Sequence, residues 1–218
     1  MAYGFTSVKD AIGIFETEEW ERRKKEEIEK AEWQKRDVRE VPPIKASEER
    51  YVKLLGMRPP IKMMEREIAQ FTACEHLSLS TNCIEKIGPG LKEMKNIKIL
   101  SLGRNNIKKL ENLDCPGLEQ LWISYNRIDK LSGLDKLKSL KILYISNNQI
   151  SMWSEIDRLA TQCPELIDLL LTGNPIAVTQ DNEYRVTVLS KLPKLARLDG
   201  TPVDLEEREE AEKRRSNP

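Results

Sequence analysis

Side chains that could carry out catalysis or hold a metal ion are few in this sequence and scattered along it. There is one histidine, His76, so no pair of histidines can ligate zinc or relay a proton. The four cysteines, which form no Cys-x-x-Cys pair, are Cys74, Cys83, Cys115 and Cys163. No glycine-rich phosphate loop is present, and paired carboxylates occur only inside long charged runs. These residues predict a protein that is not an enzyme, takes no cofactor or metal, and acts by binding.

The composition predicts a folded protein with no overall attraction to nucleic acid or membranes. The 218 residues are 39% hydrophobic and 33% charged, and 36 Lys and Arg balance 36 Asp and Glu. This apolar content supports a core, and a net charge of zero gives no global pull toward polyanions. No apolar run approaches the ~20 residues that cross a bilayer, and the N-terminal residues lack a signal-peptide pattern. We therefore expect a cytoplasmic protein whose cysteines are free thiols.

One frame, Leu-x-Leu/Ile-x-x-Asn-x-Ile, recurs five times within residues 74–178. Its asparagines, which are 23, 21, 22 and 26 residues apart, are Asn82, Asn105, Asn126, Asn148 and Asn174. This period and frame are typical of the leucine-rich repeat. Each Leu-x-Leu predicts a short strand facing a shared core, and each asparagine amide can bond buried backbone groups of neighbouring repeats. The sequence thus predicts an α/β solenoid with a parallel concave β-sheet and short turns or helices on its convex side.

The flanking segments predict helical caps and charged extensions. We expect a charged helical extension at 1–53, an N-terminal cap at 54–73, repeats at 74–178, a C-terminal cap at 179–204 and a charged helix or tail at 205–218. Helices are predicted at 5–15, 47–55, 62–72, 154–161 and 180–191. Residues 16–40 are mostly charged, which predicts an exposed, partly frayed helix without a core of its own.

Side chains that alternate out of the core predict a binding surface on the concave sheet. Trp122, Tyr144 and Leu170 occupy the same strand position in successive repeats, so they should lie side by side. A contiguous apolar patch with aromatic residues usually marks a protein interface. The candidate contact residues are Ile99, Trp122, Tyr125, Ile142, Tyr144 and Leu170. The alternative is that the N-terminal arm or the C-terminal tail of the same chain covers this patch.

Two further groups could contact a partner. Basic residues outnumber acidic ones in the first repeats, and Arg104, Arg127 and Lys130 form a possible basic flank that would steer an acidic partner. An ordinary solvated edge of the solenoid explains these charges equally well. Trp20 and Trp33 stand among the N-terminal charges and could dock on a partner, because Trp is enriched at interfaces.

Several blocks of sequence are more specific than the repeat frame. They are Ser-Val-Lys-Asp-Ala-Ile at 7–12, Gly-Met-Arg-Pro-Pro-Ile at 56–61, Leu-Trp-Ile-Ser-Tyr-Asn at 121–126 and Leu-Asp-Gly-Thr-Pro-Val-Asp at 198–204. Together they resemble the leucine-rich-repeat light chains of axonemal outer arm dynein. The resemblance covers nearly all of the chain except roughly residues 17–50.

That resemblance implies a non-catalytic subunit of the ciliary and flagellar axoneme. Members of the family are expected to bind a dynein heavy chain at the microtubule-binding tip of its stalk and to tune the motor's grip on the microtubule. The concave patch would contact the heavy chain, and the basic flank could face tubulin. Two other classes stay open: a regulatory subunit of a protein phosphatase or another adaptor, and a ribonucleoprotein subunit, against which the zero net charge weighs.

Overall fold

A computed structural model describes residues 4–178 and 182–216, which are built around a single eight-stranded sheet. The strands are β1 Tyr51–Lys53, β2 His76–Ser78, β3 Ile99–Ser101, β4 Gln120–Trp122, β5 Ile142–Tyr144, β6 Asp168–Leu170, β7 Arg197–Leu198 and β8 Thr201–Pro202. They stand in chain order, parallel from β1 to β7, with β8 antiparallel to β7. The predicted solenoid fold is confirmed.

The helices lie outside the sheet. They are α1 Val8–Gln34, α2 Trp153–Gln162, α3 Asn182–Lys191 and α4 Leu205–Ser216, and short 3₁₀ helices occupy Ala46–Glu48, Arg66–Gln70, Leu91–Glu93 and Pro175–Ala177. The first three repeats are too short to hold an α-helix on the convex side, whereas the longer fourth repeat accommodates α2. None of the helices within the described residues has the length and apolar content needed to cross a bilayer.

The asparagine of each repeat bonds that repeat to the one before it. Asn126 donates through Nδ2 to Leu102 O and to Ile123 O, both at 3.0 Å, and its Oδ1 accepts from Ile107 N at 2.9 Å. Asn82, Asn105, Asn148 and Asn174 repeat this pattern. One amide therefore satisfies three backbone groups that would otherwise be buried without partners. We call these five residues the asparagine ladder.

The residue before each ladder asparagine adopts a left-handed conformation. The φ angles are 57° at Thr81, 56° at Arg104, 58° at Tyr125, 52° at Asn147 and 78° at Gly173. A side chain costs free energy in this region of φ/ψ space, and such residues persist only where the surrounding bonds enforce them. The same turn follows every strand because the asparagine must point inward, and the preceding residue is thereby turned outward.

The N-terminal region differs from the sequence expectation. The sequence predicts a helix at 47–55, but β1 pairs with β2 there, and Asn82 donates to Leu54 O at 2.8 Å. The segment from β1 to Ile61 is thus a further coil of the solenoid that lacks its asparagine. The expected helix at 62–72 is also wrong, since only the 3₁₀ helix Arg66–Gln70 forms. Val52 and Leu54 have the spacing of the two apolar residues in each repeat strand, and this spacing is the sequence signal for a strand here.

Helix α1 includes the predicted helix at 5–15 and most of the charged stretch that follows it, which the sequence pattern treats as separate segments. Ser7 caps it by accepting from Asp10 N at 3.1 Å, and the helix continues for 27 residues. Val8, Ala11 and Phe15 are buried against the core at its start. The first two turns of α1 therefore close the N-terminal end of the solenoid, and the charged remainder extends beyond it.

The C-terminal end is closed by α3 and α4. The predicted helix at 180–191 is described from Asn182 onward; residues 180 and 181 lie outside the described residues. Asp199 satisfies backbone donors that follow β6, accepting from Leu171 N and Thr172 N at 2.6 and 2.8 Å and from the hydroxyl of Tyr184 at 2.8 Å. Helix α4 packs on α3, where Arg185 pairs with Glu207.

Replacing a ladder asparagine should destabilise the fold strongly. In Asn126→Ala, one N–H and two C=O groups lose their partner in the interior, at about 1–3 kcal/mol each, so the free energy of unfolding should fall by about 3 kcal/mol or more. Urea denaturation followed by circular dichroism measures this. Asn106→Ala is the control, since the Asn106 side chain makes no hydrogen bond within the described residues. Equal losses in both variants would contradict the role of the ladder.

Candidate protein-binding site on the concave sheet

The parallel register sorts the outward-facing residues of the sheet into two columns. The first column is Tyr51, His76, Ile99, Gln120, Ile142, Asp168 and Arg197. The second is Lys53, Ser78, Ser101, Trp122, Tyr144 and Leu170. The structure thus brings together Trp122, Tyr144 and Leu170 as the sequence predicted.

Four rings form a continuous row across this surface. Trp122 and Tyr144 stack with ring centroids 6.3 Å apart and planes 18° apart. His76 meets Trp122 edge-on at 5.6 Å, and Tyr51 meets His76 at 6.3 Å. His76 and Trp122 are two strands apart, and they can touch because the strand between them carries the small, buried Ser101. We call Tyr51, His76, Trp122 and Tyr144 the aromatic row.

Tyr51 and His76 belong to the surface in the structure, in addition to the contact residues predicted from the sequence. His76 occupies an outward position of its strand, and recognition of Val52-x-Leu54 as a repeat would have placed Tyr51 beside it. The Nε2 atom of His76 lies 3.2 Å from Ser101 Oγ. Burial, followed by the nearby charge of Lys53, lowers the pKa of His76, which favours a neutral ring in this row.

The remaining candidate residues lie around the aromatic row. Ile99, Ile142 and Leu170 are each half-buried on the outer face of the sheet, and Gln120 separates the two isoleucines in the register. Tyr125 follows β4 in the left-handed conformation and is 49% exposed. The guanidinium of Arg104 lies 4.5 Å from its ring centroid, a cation–π contact between equivalent positions of adjacent repeats.

One end of the surface is acidic and polar. Asp168 accepts a hydrogen bond from the Tyr144 hydroxyl at 3.1 Å and lies 3.5 Å from Nη1 of Arg197. Burial and the adjacent Asp168 carboxylate raise the pKa of the Tyr144 phenol. The hydroxyl therefore remains a donor, which fixes the Tyr144 ring in the orientation that stacks on Trp122.

The ends of the chain do not close over this surface. Helix α1 rests mainly on the 3₁₀ helices Ala46–Glu48 and Arg66–Gln70, and α4 rests mainly on α3. Tyr51, at one end of the aromatic row, and Tyr125, which follows β4, are 56% and 49% exposed. Within the described residues, therefore, neither the N-terminal arm nor the C-terminal tail covers the patch.

The arrangement is suited to binding and offers little for covalent chemistry. Burial raises the pKa of the thiols, to about 11 for Cys74 and about 12 for Cys115 and Cys163, so these sulfurs stay protonated. Within residues 4–178 and 182–216, no three His, Cys, Asp or Glu side chains are grouped to hold a metal ion. A partner that covers the aromatic row would gain apolar contact with Trp122 and Tyr144, whose rings are already held in place.

Comparison with known proteins identifies the family. A sequence profile described as Leucine-rich repeat matches residues 81–217. Dynein axonemal light chain 1 of Chlamydomonas reinhardtii is 47% identical over 213 residues, which cover 94% of this chain and 95% of the relative. The chain belongs to the dynein axonemal light chain 1 family. Members of this leucine-rich-repeat family are non-catalytic interaction proteins, as the sequence predicted.

A second relative matches a smaller share of the chain. Dynein axonemal light chain 1 of Homo sapiens is 45% identical over 161 residues, which cover 72% of this chain and 84% of the relative. Among solved structures, the Drosophila melanogaster SNF/U2A' complex matches with a TM-score of 0.51 and 23% identity, covering 75% of this chain and 79% of the matched chain. At that identity the likeness concerns the fold alone.

The two N-terminal tryptophans proposed as contacts have different environments in this light chain. Trp20 is half-buried, donates from Nε1 to Val41 O at 3.0 Å, and carries Lys24 over its ring at 4.4 Å. Trp33 is 83% exposed near the end of α1. Trp20 therefore serves the chain's own packing, and Trp33 remains the more accessible candidate for contact with a partner.

The segment after α1 returns along the helix as a strap, which we define as residues 35–46. Arg36 pairs with Glu27 at 2.6 Å, and the same carboxylate accepts from Arg39 N at 2.9 Å. Near the end of the strap, Ala46 N donates to Glu16 at 2.8 Å. The helix predicted for residues 16–40 therefore ends at Gln34, and these bonds tie it to a second segment.

Acid should release the strap. The hydrogen bond from Arg36 and that from the Arg39 amide lower the pKa of Glu27 from 4.5 to about 2. Since this pKa is depressed in the folded chain, the contact is complete above pH 4.5 and is lost as the pH falls toward 2. The protection of the Arg39 amide against hydrogen exchange, measured relative to the intrinsic rate at the same pH, should be lost over that range. Glu27→Gln should give fast exchange at neutral pH, and Glu29→Gln should not; slow exchange in both would refute the anchor.

Proposed function

We propose that this chain is a light chain of axonemal outer arm dynein that binds a dynein heavy chain through its concave sheet. The observation that carries the proposal is the stacked Trp122–Tyr144 pair on an uncovered sheet, in a chain 47% identical to a dynein axonemal light chain over almost its full length. The names of the relatives support residence in the axoneme of cilia or flagella.

The physical chemistry of the surface favours this mode of binding. Trp and Tyr dominate the energetics of protein interfaces, because they bury a large area while losing little conformational entropy. Here both rings are held before binding, Tyr144 by Asp168 and Trp122 by its neighbours in the aromatic row. Ile99, Ile142 and Leu170 extend the apolar area on both sides. A helix or a short strand of the heavy chain would fit across these columns.

The proposed target within the heavy chain is the microtubule-binding region of the stalk, where a light chain would modulate the interaction of the motor with the microtubule. This follows from the family resemblance. The basic flank supports it, since Arg104, Arg127 and Lys130 are exposed and none has an ion pair among the described residues. Free positive charge beside a heavy-chain site would face an acidic microtubule surface.

Removal of the stacked pair should strongly weaken heavy-chain binding. The Trp122→Ala/Tyr144→Ala double variant and the wild-type chain are incubated with salt-extracted axonemal protein, and captured outer arm heavy chain is quantified by mass spectrometry. Loss of two interface anchors should reduce capture by about 30-fold or more. Trp153→Ala is the matched control, since Trp153 lies on α2 outside the concave sheet. Wild-type capture of a phosphatase instead of dynein, or undiminished capture by the double variant, would contradict the proposal.

The basic flank should contribute to microtubule binding and not to heavy-chain binding. In Arg127→Ala/Lys130→Ala, which keeps the Arg104–Tyr125 contact, co-sedimentation of the light chain–heavy chain complex with microtubules should decrease and depend less on salt. Capture of the heavy chain should stay within about twofold of wild type. Lys92→Ala/Lys95→Ala is the control, because these exposed lysines lie elsewhere on the solenoid, in the 3₁₀ helix Leu91–Glu93 and just after it. Equal co-sedimentation of both variants would remove tubulin from the proposal.

A further inference from the structure

The polar end of the concave surface contains a carboxylate whose bonding is incomplete. Asp168 stands in the first outward column but is only 8% exposed. Its Oδ2 atom accepts from Tyr144, whereas its Oδ1 atom is buried and has no hydrogen-bond partner. A buried charged oxygen without a donor is costly, and such groups in native proteins usually have a role.

The neighbouring cation neutralises this carboxylate only weakly. Arg197 approaches Oδ2 with one nitrogen at 3.5 Å, and its own side chain is 52% exposed. A well-formed Arg–carboxylate pair uses two nitrogens at shorter distances, as Arg50 does with Glu75 at 2.7 Å for both bonds. Arg197 can therefore move away from Asp168 at small cost, and its movement would open the carboxylate to the concave side.

A second incomplete group lies in the aromatic row. The Nε1 atom of Trp122 is buried and lacks an acceptor. Three buried side-chain atoms in the described residues lack a partner, and two of them, Trp122 Nε1 and Asp168 Oδ1, belong to the concave surface. The surface thus holds an unpaired acceptor and an unpaired donor on either side of Tyr144, and displacement of Arg197 would give a bound polypeptide access to the acceptor.

We propose that the concave surface recognises a polypeptide segment that places an arginine or lysine side chain on Asp168, displacing Arg197, beside the aromatic row. This inference rests on the proposed function, and it adds the chemistry of the partner: an apolar segment with a basic residue at the end that faces β6 and β7. Asp168 then determines specificity, while the rings supply contact area.

Three single variants test the assignment by heavy-chain capture at low and high salt. Asp168→Asn keeps the shape of the side chain and should weaken capture about 10- to 100-fold, with a shallower dependence on salt. Arg197→Ala removes the competing cation and should leave capture unchanged or increase it. Glu165→Gln is the matched control, since it removes the same charge at an exposed site paired with Lys194; its capture should equal that of wild type.

The outcomes separate the two proposals. Thermal melting of Asp168→Asn close to that of wild type shows that the loss reflects binding and not unfolding. If wild type captures heavy chain and Asp168→Asn captures it equally well, the assignment of Asp168 is overturned while the proposed function stands. Loss of capture in Arg197→Ala would also overturn the assignment of Asp168, because the partner would then bind Arg197 through an acidic side chain. If wild type captures no heavy chain, both proposals fail.

Discussion

Hydrogen bonds from one asparagine per coil fix the register of this protein. The strands contain two or three residues, so each strand has few backbone bonds to its neighbours. The asparagine ladder adds bonds that reach the preceding coil on both the donor and the acceptor side of each amide. A slip of one residue would turn the leucines outward and the aromatic residues inward. The binding surface therefore depends on the ladder, although no ladder residue belongs to it.

The geometry of the ladder also shapes the edge of the surface. Each asparagine points inward only if the residue before it adopts a left-handed conformation. Glycine would relieve the strain, yet Arg104 and Tyr125 occupy two of these positions and stack on one another across adjacent coils. A conformational requirement of the scaffold thus brings a cation and an exposed ring to the edge of the binding surface, where a partner can reach both.

The caps leave the sheet open because they close the ends of the solenoid. At the N-terminal end, a coil without an asparagine completes the bonding of Asn82, and the start of α1 buries its apolar residues behind that coil. At the C-terminal end, the Asp199 carboxylate accepts from two backbone N–H groups that follow β6 and from the Tyr184 hydroxyl. Both solutions terminate the core without crossing the strands, so the aromatic row remains accessible to another polypeptide.

The sequence by itself determined the solenoid, the role of the asparagines and the side-by-side placement of Trp122 and Tyr144. These features follow from a local period of two along each strand and from equal positions in successive repeats, both of which are visible in the chain. The tertiary structure alone decided that β1 joins the sheet, that His76 reaches Trp122 over Ser101, and that Trp20 packs under the strap. It also decided that Asp168 keeps one oxygen without a partner. A repeat pattern shows which side of a strand a residue faces, but the space and partners it finds there depend on residues distant in sequence.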